Sequence, residues 1–156
     1  MSIESTPVAT SPGINGLNVT SVAALLMVTD MERSLAFYID GLGFTIQNRW
    51  IVEGQLLWCW MQLGSAALML QLAMPATREK LTAAGKLGNG SSLYFQCRDA
   101  LALYREVKAR GIHPRHEPQV GNNAWEIFYA DPDGYHINFS SPTGLPEETL
   151  LSQVEG

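Results

Sequence analysis

Apolar residues run along this chain in two rhythms, one of period two and one near 3.6, and the order of the rhythms repeats. The organised part begins near Val19, where SVAALLMV reads as a short buried strand. Thr29-x-x-Glu32 then has the form of a capping box, and Met31, Leu35, Tyr38 and Leu42 follow at helical spacing until Gly41 and Gly43 end the helix. Three strand-like runs come next, FTIQNRWIV, QLLWCWMQL and AALMLQLAM, divided by turns at Glu53-Gly54 and Gly64-Ser65. A loop from about Pro75 to Gly90, with a short helix predicted around Glu79 to Ala84, leads into a second round. SSLYFQC reads as a strand, Asp99 as an N-cap, and Ala100, Leu103, Tyr104 and Val107 as the apolar stripe of a helix stopped by Gly111. Strands are predicted near His113–Val120, Ala124–Ala130 and Tyr135–Ser140.

The order βαβββ therefore occurs twice, with Asp30 and Asp99 as equivalent helix starts 69 residues apart. The duplication predicts an α+β domain over residues 18–142, built from modules 18–74 and 91–142 and a linker 75–90. Residues 1–17, rich in Ser, Thr, Pro and Gly, are expected to form a flexible arm, and residues 143–156 a C-terminal tail.

Composition narrows the functional classes. With 156 residues and 46% hydrophobic content, the chain can bury a full core. No apolar run approaches the roughly 20 residues that span a bilayer, and the N-terminus lacks a basic start and an apolar signal core. A cytoplasmic protein without membrane partners is the expectation. The net charge of −5, without a basic block, argues against nucleic-acid partners and leaves cationic small molecules open. Cys59 and Cys97 stand far apart on predicted strands, which suits buried free thiols better than a redox or zinc motif.

The last apolar run, DPDGYHINF, turns at Asp131-Pro132-Asp133-Gly134 into a strand whose faces separate Tyr135, Ile137 and Phe139 from His136, Asn138 and Ser140. Together with VTDMERSLAFYIDGLGF and LYFQCRDALALYREVKARGI, it resembles the vicinal oxygen chelate superfamily of glyoxalases, bleomycin-resistance proteins and extradiol dioxygenases. The likeness spans roughly residues 20–142 and implies two βαβββ modules forming a curled mixed sheet with a U-shaped cleft. Metal-dependent members take His, Glu or Gln ligands from four strands, and the corresponding positions here are Ala23, Gln71, Ser92 and Asn138. A methyl group and three neutral polar groups make a poor set for a divalent ion, so no metal and no other cofactor is expected. The chain is closest in character to metal-free bleomycin-resistance-like members.

Alternation from those positions predicts a cleft floor of Ala23, Leu25, Met27, Met69, Gln71, Ser92, Tyr94, Gln96, His136 and Asn138. Trp58 and Trp60 share one strand face, continued by Gln62, and either pack as core or line a slot for a planar ligand or cation. Trp50 and Trp125 are further candidates on neighbouring strands, and Glu53, Glu117 and Glu126 are candidate rim charges. His136 is a candidate base, ligand contact or metal ligand, whereas His113 and His116 in HPRH suit an exposed edge strand. The leading expectation is metal-independent binding, by sequestration, of a small apolar or planar molecule, as in antibiotic resistance of the bleomycin type, by a homodimer. The alternatives are a metal-dependent lyase or dioxygenase with displaced ligands, including His136, Gln71 and Glu126, and a regulatory dimer module whose cleft is filled by its own side chains.

Overall fold

The structure, a computed structural model, describes residues 14–156. The arm expected over residues 1–17 therefore lies, up to residue 13, outside the described residues. After a short helix α1 (Ile14–Asn18), the first module runs β1 (Ala24–Val28), α2 (Met31–Leu35), β2 (Thr45–Val52), β3 (Gln55–Leu63) and β4 (Ala66–Leu72). Helix α2 continues as a π-helical stretch over Ala36–Gly41, so the helical path ends at the glycines. Helix α3 (Pro75–Ala84) leads to the second module: β5 (Leu93–Gln96), α4 (Ala100–Ala109), β6 (Gln119–Gly121), β7 (Ala124–Ala130) and β8 (His136–Pro142). A last helix, α5, spans Ser152–Glu155.

Each module forms a four-stranded mixed sheet, ordered β1-β4-β3-β2 and β5-β8-β7-β6. The first and last strands of a module pair in parallel and the other neighbours are antiparallel. The two helices start alike. Asp30 accepts from the N–H of Arg33, and Asp99 accepts from that of Ala102, a cap worth about 1 kcal/mol each. The capping box expected at Thr29 does not form, because the Thr29 hydroxyl donates to Asp133 in the other module. The strand expected over His113–Val120 shrinks to β6, since Pro114 and Pro118 have no N–H to give a ladder. The short helix expected near Glu79 begins earlier, with Pro75 in its first turn where the missing N–H costs nothing.

One face of each sheet is buried: Leu26, Val28, Cys59, Met61, Leu68 and Leu70 in the first, Trp125, Ile127, Tyr129, Ile137 and Phe139 in the second. Both faces join α2 and α4 in a single core. Phe44 meets Phe95 edge-on at 5.7 Å, and Phe95 stacks on Phe139 at 5.2 Å, so an aromatic chain crosses the boundary between modules. At Gly41 an added Cβ would sit 2.6 Å from Cγ1 of Ile112, so only glycine lets the two modules approach this closely.

The turn of the second module fastens the first. Asp131 folds back on its own loop, accepting from the N–H groups of Asp133 (2.9 Å) and Tyr135 (2.8 Å), and its other oxygen accepts from the buried Tyr38 hydroxyl at 2.8 Å. Asp133 accepts from Thr29 and faces Arg33 at 3.3 Å, while the Tyr135 hydroxyl donates to the carbonyl of Met27. Residues 143–155 pack along the outer edge of the second sheet. The Val120 N–H donates to the carbonyl of Thr149 and its carbonyl accepts from the N–H of Glu148, and Leu151 is buried. No helix among the described residues is long and apolar enough to cross a membrane.

Candidate functional site

The face of the first sheet that turns away from the core carries most of the residues expected to line a cleft. Cross-strand pairs set Leu25 beside Met69, Met27 beside Gln71, Trp60 beside Met69 and Trp58 beside Gln71. Trp50 lies opposite Trp58 and Asn48 opposite Trp60, which extends the row onto β2. Because side chains alternate along each strand, these residues share one face, while Cys59, Met61, Leu68 and Leu70 point into the core. Trp58, Trp60, Met27, Met69 and Gln71 are half-buried, and Leu25 and Trp50 stay 47% and 56% exposed. Trp58 and Trp60 thus leave the core to smaller residues of their strand. Of the other two indoles, Trp50 joins this open face and Trp125 is buried in the second sheet's core.

On the second sheet the equivalent face holds Tyr94, Gln96, Asn138 and Ser140 on β5 and β8, with Glu126 and Phe128 on β7. Tyr94 and Phe128 flank Asn138 from either side, their rings 6.5 Å apart and perpendicular, so only 3% of Asn138 is exposed. The Asn138 amide, expected on the cleft floor as a ligand-bonding group, therefore lies between two rings. His136, half-buried, pairs with Ala130 at the start of the same strand, two residues from Asn138. Phe128 has no role in the expected lining, whereas Glu126, expected as a rim charge, lies on this face beside Ser140. In AWEIFYA both parities carry aromatic residues, so alternation alone does not choose a face. His116, exposed as an edge position would be, leans on Phe128 at 5.1 Å.

The two open faces meet in a groove of about 530 Å³. Trp60 and Gln62 form its wall on the first sheet, and Ser92, Tyr94 and Gln96 form its wall on the second. Val22 and Ala67 line it as well. The lining combines aromatic and aliphatic area with neutral amides and hydroxyls, and it can stack on a flat molecule and hydrogen-bond its edge. Gln96 also contacts the Ser140 hydroxyl at 3.5 Å, which fixes the amide beside the row of aromatic rings. Both thiols lie outside this lining, and burial raises the pKa of Cys59 and of Cys97, so neither is an activated nucleophile.

Ala23, Gln71, Ser92 and Asn138, the ligand positions that the family resemblance implies, are set apart by the strand register. Ala23 precedes β1, and extending the register sets it beside Ala67, four residues along β4 from Gln71. Ser92 falls beside His136 rather than Asn138. Their side chains are a methyl group, which cannot ligate, a hydroxyl and two amides, and no group of three His, Cys, Asp or Glu side chains that could hold an ion occurs among the described residues. This donor set does not fit a divalent metal.

Comparisons with known proteins agree with this architecture. Residues 18–139 match the model of the Glyoxalase/Bleomycin resistance protein/Dioxygenase superfamily. Among solved structures, the chain is similar to a bleomycin-binding protein complexed with bleomycin, with a TM-score of 0.58 and 23% identity over 79% of this chain and 98% of that one. It is similar also to TnmS3, an antibiotic binding protein from Streptomyces sp. CB03234, with a TM-score of 0.57 and 21% identity over 80% and 98% of the two chains. UcmS2 gives a TM-score of 0.63 at 18% identity over 76% of this chain and 94% of its own. No curated protein matches the sequence significantly.

Proposed function

The chain belongs to the glyoxalase/bleomycin resistance protein/dioxygenase superfamily, and from that premise we propose that it binds a small, planar, largely apolar organic molecule without a metal and without turning it over. The observation that carries this reading is the open face of the first sheet. There three indoles and two thioethers, Trp50, Trp58, Trp60, Met27 and Met69, lie away from the core, and Trp60 among them also walls the groove shared with Tyr94 and Gln96. Indoles are costly to leave half-exposed unless something flat covers them, and thioethers adapt to irregular ligands. Gln71 and Gln96 supply neutral hydrogen bonds at the edges of such a molecule. Two of the similar structures bind bleomycin or an antibiotic by their own descriptions, which supports a ligand of that size for this chain too.

Metal independence rests on the donor chemistry of Ala23, Gln71, Ser92 and Asn138. Purified without chelators or an affinity tag, the protein should carry far less than one equivalent of zinc, iron, nickel or manganese by elemental analysis. A full equivalent lost on replacing Gln71 or His136 overturns the reading. The binding itself is tested by titrating tryptophan fluorescence with a panel of planar aromatic and cationic compounds, and saturable quenching by at least one of them is expected. Indifference to all of them removes the support that the indoles give.

A further inference from the structure

The two modules differ in the surroundings of a hairpin turn outside the cleft. In the second, the β6–β7 hairpin turns at Asn122-Asn123, with φ of 54° and 58°. The backbone N–H groups of these two residues donate to the carboxylate of Glu147, at 2.9 Å to Oε2 and 2.7 Å to Oε1. The turn is a nest of two donors, and a carboxylate from the same chain fills it.

The same turn occurs 69 residues earlier at Glu53-Gly54, again with positive φ of 48° and 78°. This is the spacing that separates the helix caps Asp30 and Asp99. Glu147, moved back by the same 69 residues, falls on Arg78. An acceptor in one module is thus a donor in the other, and arginine has no group that accepts. Nη2 of Arg78 donates to the carbonyl of Ala73 at 3.1 Å, while its buried Nε finds no partner among the described residues. Turn and arginine line one groove of about 560 Å³, whose apolar wall includes Met31, Leu35 and Leu72. A Cβ placed on Gly54 would meet nothing within 4 Å, so the turn is open on that side.

We propose that this groove binds a small organic monocarboxylate. Its head group takes the place that Glu147 holds in the second module, between the amides of the Glu53-Gly54 turn and the Arg78 guanidinium, and its apolar body lies along Met31, Leu35 and Leu72. A charge-assisted bond from arginine together with two backbone donors is a common carboxylate cradle. The acidic groups around it decide the charge of the ligand. Asp30 is engaged in its helix cap, Glu32 and Glu53 are exposed and screened by water, and Arg78 is the single cationic side chain of the lining, so the groove matches one negative charge. Leu72 points to the helical side of the first sheet, which separates this site from the indole face.

The test is an amide-resolved NMR titration of the full chain with hexanoate, and with hexanol as the uncharged match. Hexanoate should shift the Glu53 and Gly54 amide signals saturably, and hexanol should not. Arg78→Met, which keeps the stem and removes the charge, should weaken hexanoate binding by roughly tenfold or more. Arg78→Glu restores the acceptor of the second module and should abolish the response in a protein whose other amide signals stay in place. The absence of a saturable shift in the wild type, equal shifts with hexanol, or unchanged affinity in either variant would each overturn the proposal.

Discussion

Trp60 and Asp131 show how two residues of very different exposure divide the labour between site and scaffold. Trp60 is half-buried on the open face and helps wall the groove, so replacing it by Ala removes stacking of about 0.5–1.5 kcal/mol from a planar ligand while the core beneath, Cys59 and Met61, stays packed. We expect Trp60→Ala to melt within a few degrees of the wild type and to lose ligand quenching. A loss of roughly 3–5 kcal/mol in stability would instead mark it as core. Asp131 is buried, and burial, the largest influence on it, raises its pKa above the ordinary carboxylate value against the pull of the donors from Tyr135, Tyr38 and Asp133. The folded state then holds that proton more tightly than the unfolded chain does. Its contribution is therefore largest at and below about pH 4 and declines as pH rises from there through the raised value. Urea titrations between pH 4 and 6 should show this decline in the wild type and a flatter line in Asp131→Asn. A steeper decline on acidification would mean that the donors outweigh burial. Asp131→Ala, which strands the Tyr38 hydroxyl and two N–H groups, should cost about 3 kcal/mol near pH 4, where the contribution of Asp131 is fullest.

Among the elements, those with a strong local signal were the ones that could be read from the chain. QLLWCWMQL occupies β3 from end to end, both aspartate caps form, and Met31, Tyr38 and Leu42 are buried at helical spacing. Other features depend on partners distant in sequence. Thr29 leaves its capping box for Asp133, 104 residues away, and Asn138 disappears between Tyr94 and Phe128, which sit on two other strands. Parity identifies a face, but it does not say what leans over that face, so the open side of the second sheet was legible only in outline. The C-terminal segment was harder still, being polar and without periodicity. Its order comes from capping the Asn122-Asn123 turn, from backbone bonds to Val120 and from burying Leu151. Deleting residues 144–156 should therefore lower stability by at least about 2 kcal/mol in a denaturant titration, the worth of one buried leucine alone. A truncated chain as stable as the full one would reduce that packing to a loose association.

At the level of the whole molecule, the outer edges of the two sheets are treated differently. The C-terminal segment lies along β6, whereas β2 leaves Trp50, Ile51 and Val52 at 56%, 50% and 39% exposed beside an edge that pairs with no other strand among the described residues. An uncovered apolar edge favours association, and we expect a homodimer, with light scattering at micromolar concentration giving twice the chain mass. A monomer at that concentration would refute this. Within one chain, the turn at Asp131–Gly134 fastens helix α2 across 93 residues of sequence, from Tyr38 to Asp131. That separation matters before the protein is finished. At roughly 5–20 residues per second, a ribosome that has completed β4 needs several more seconds to deliver Asp131. Throughout that interval the nascent first module carries a Tyr38 hydroxyl with no acceptor and a Phe44 ring with no Phe95 to meet it. The half-made chain is consequently the form of this protein most in need of a chaperone.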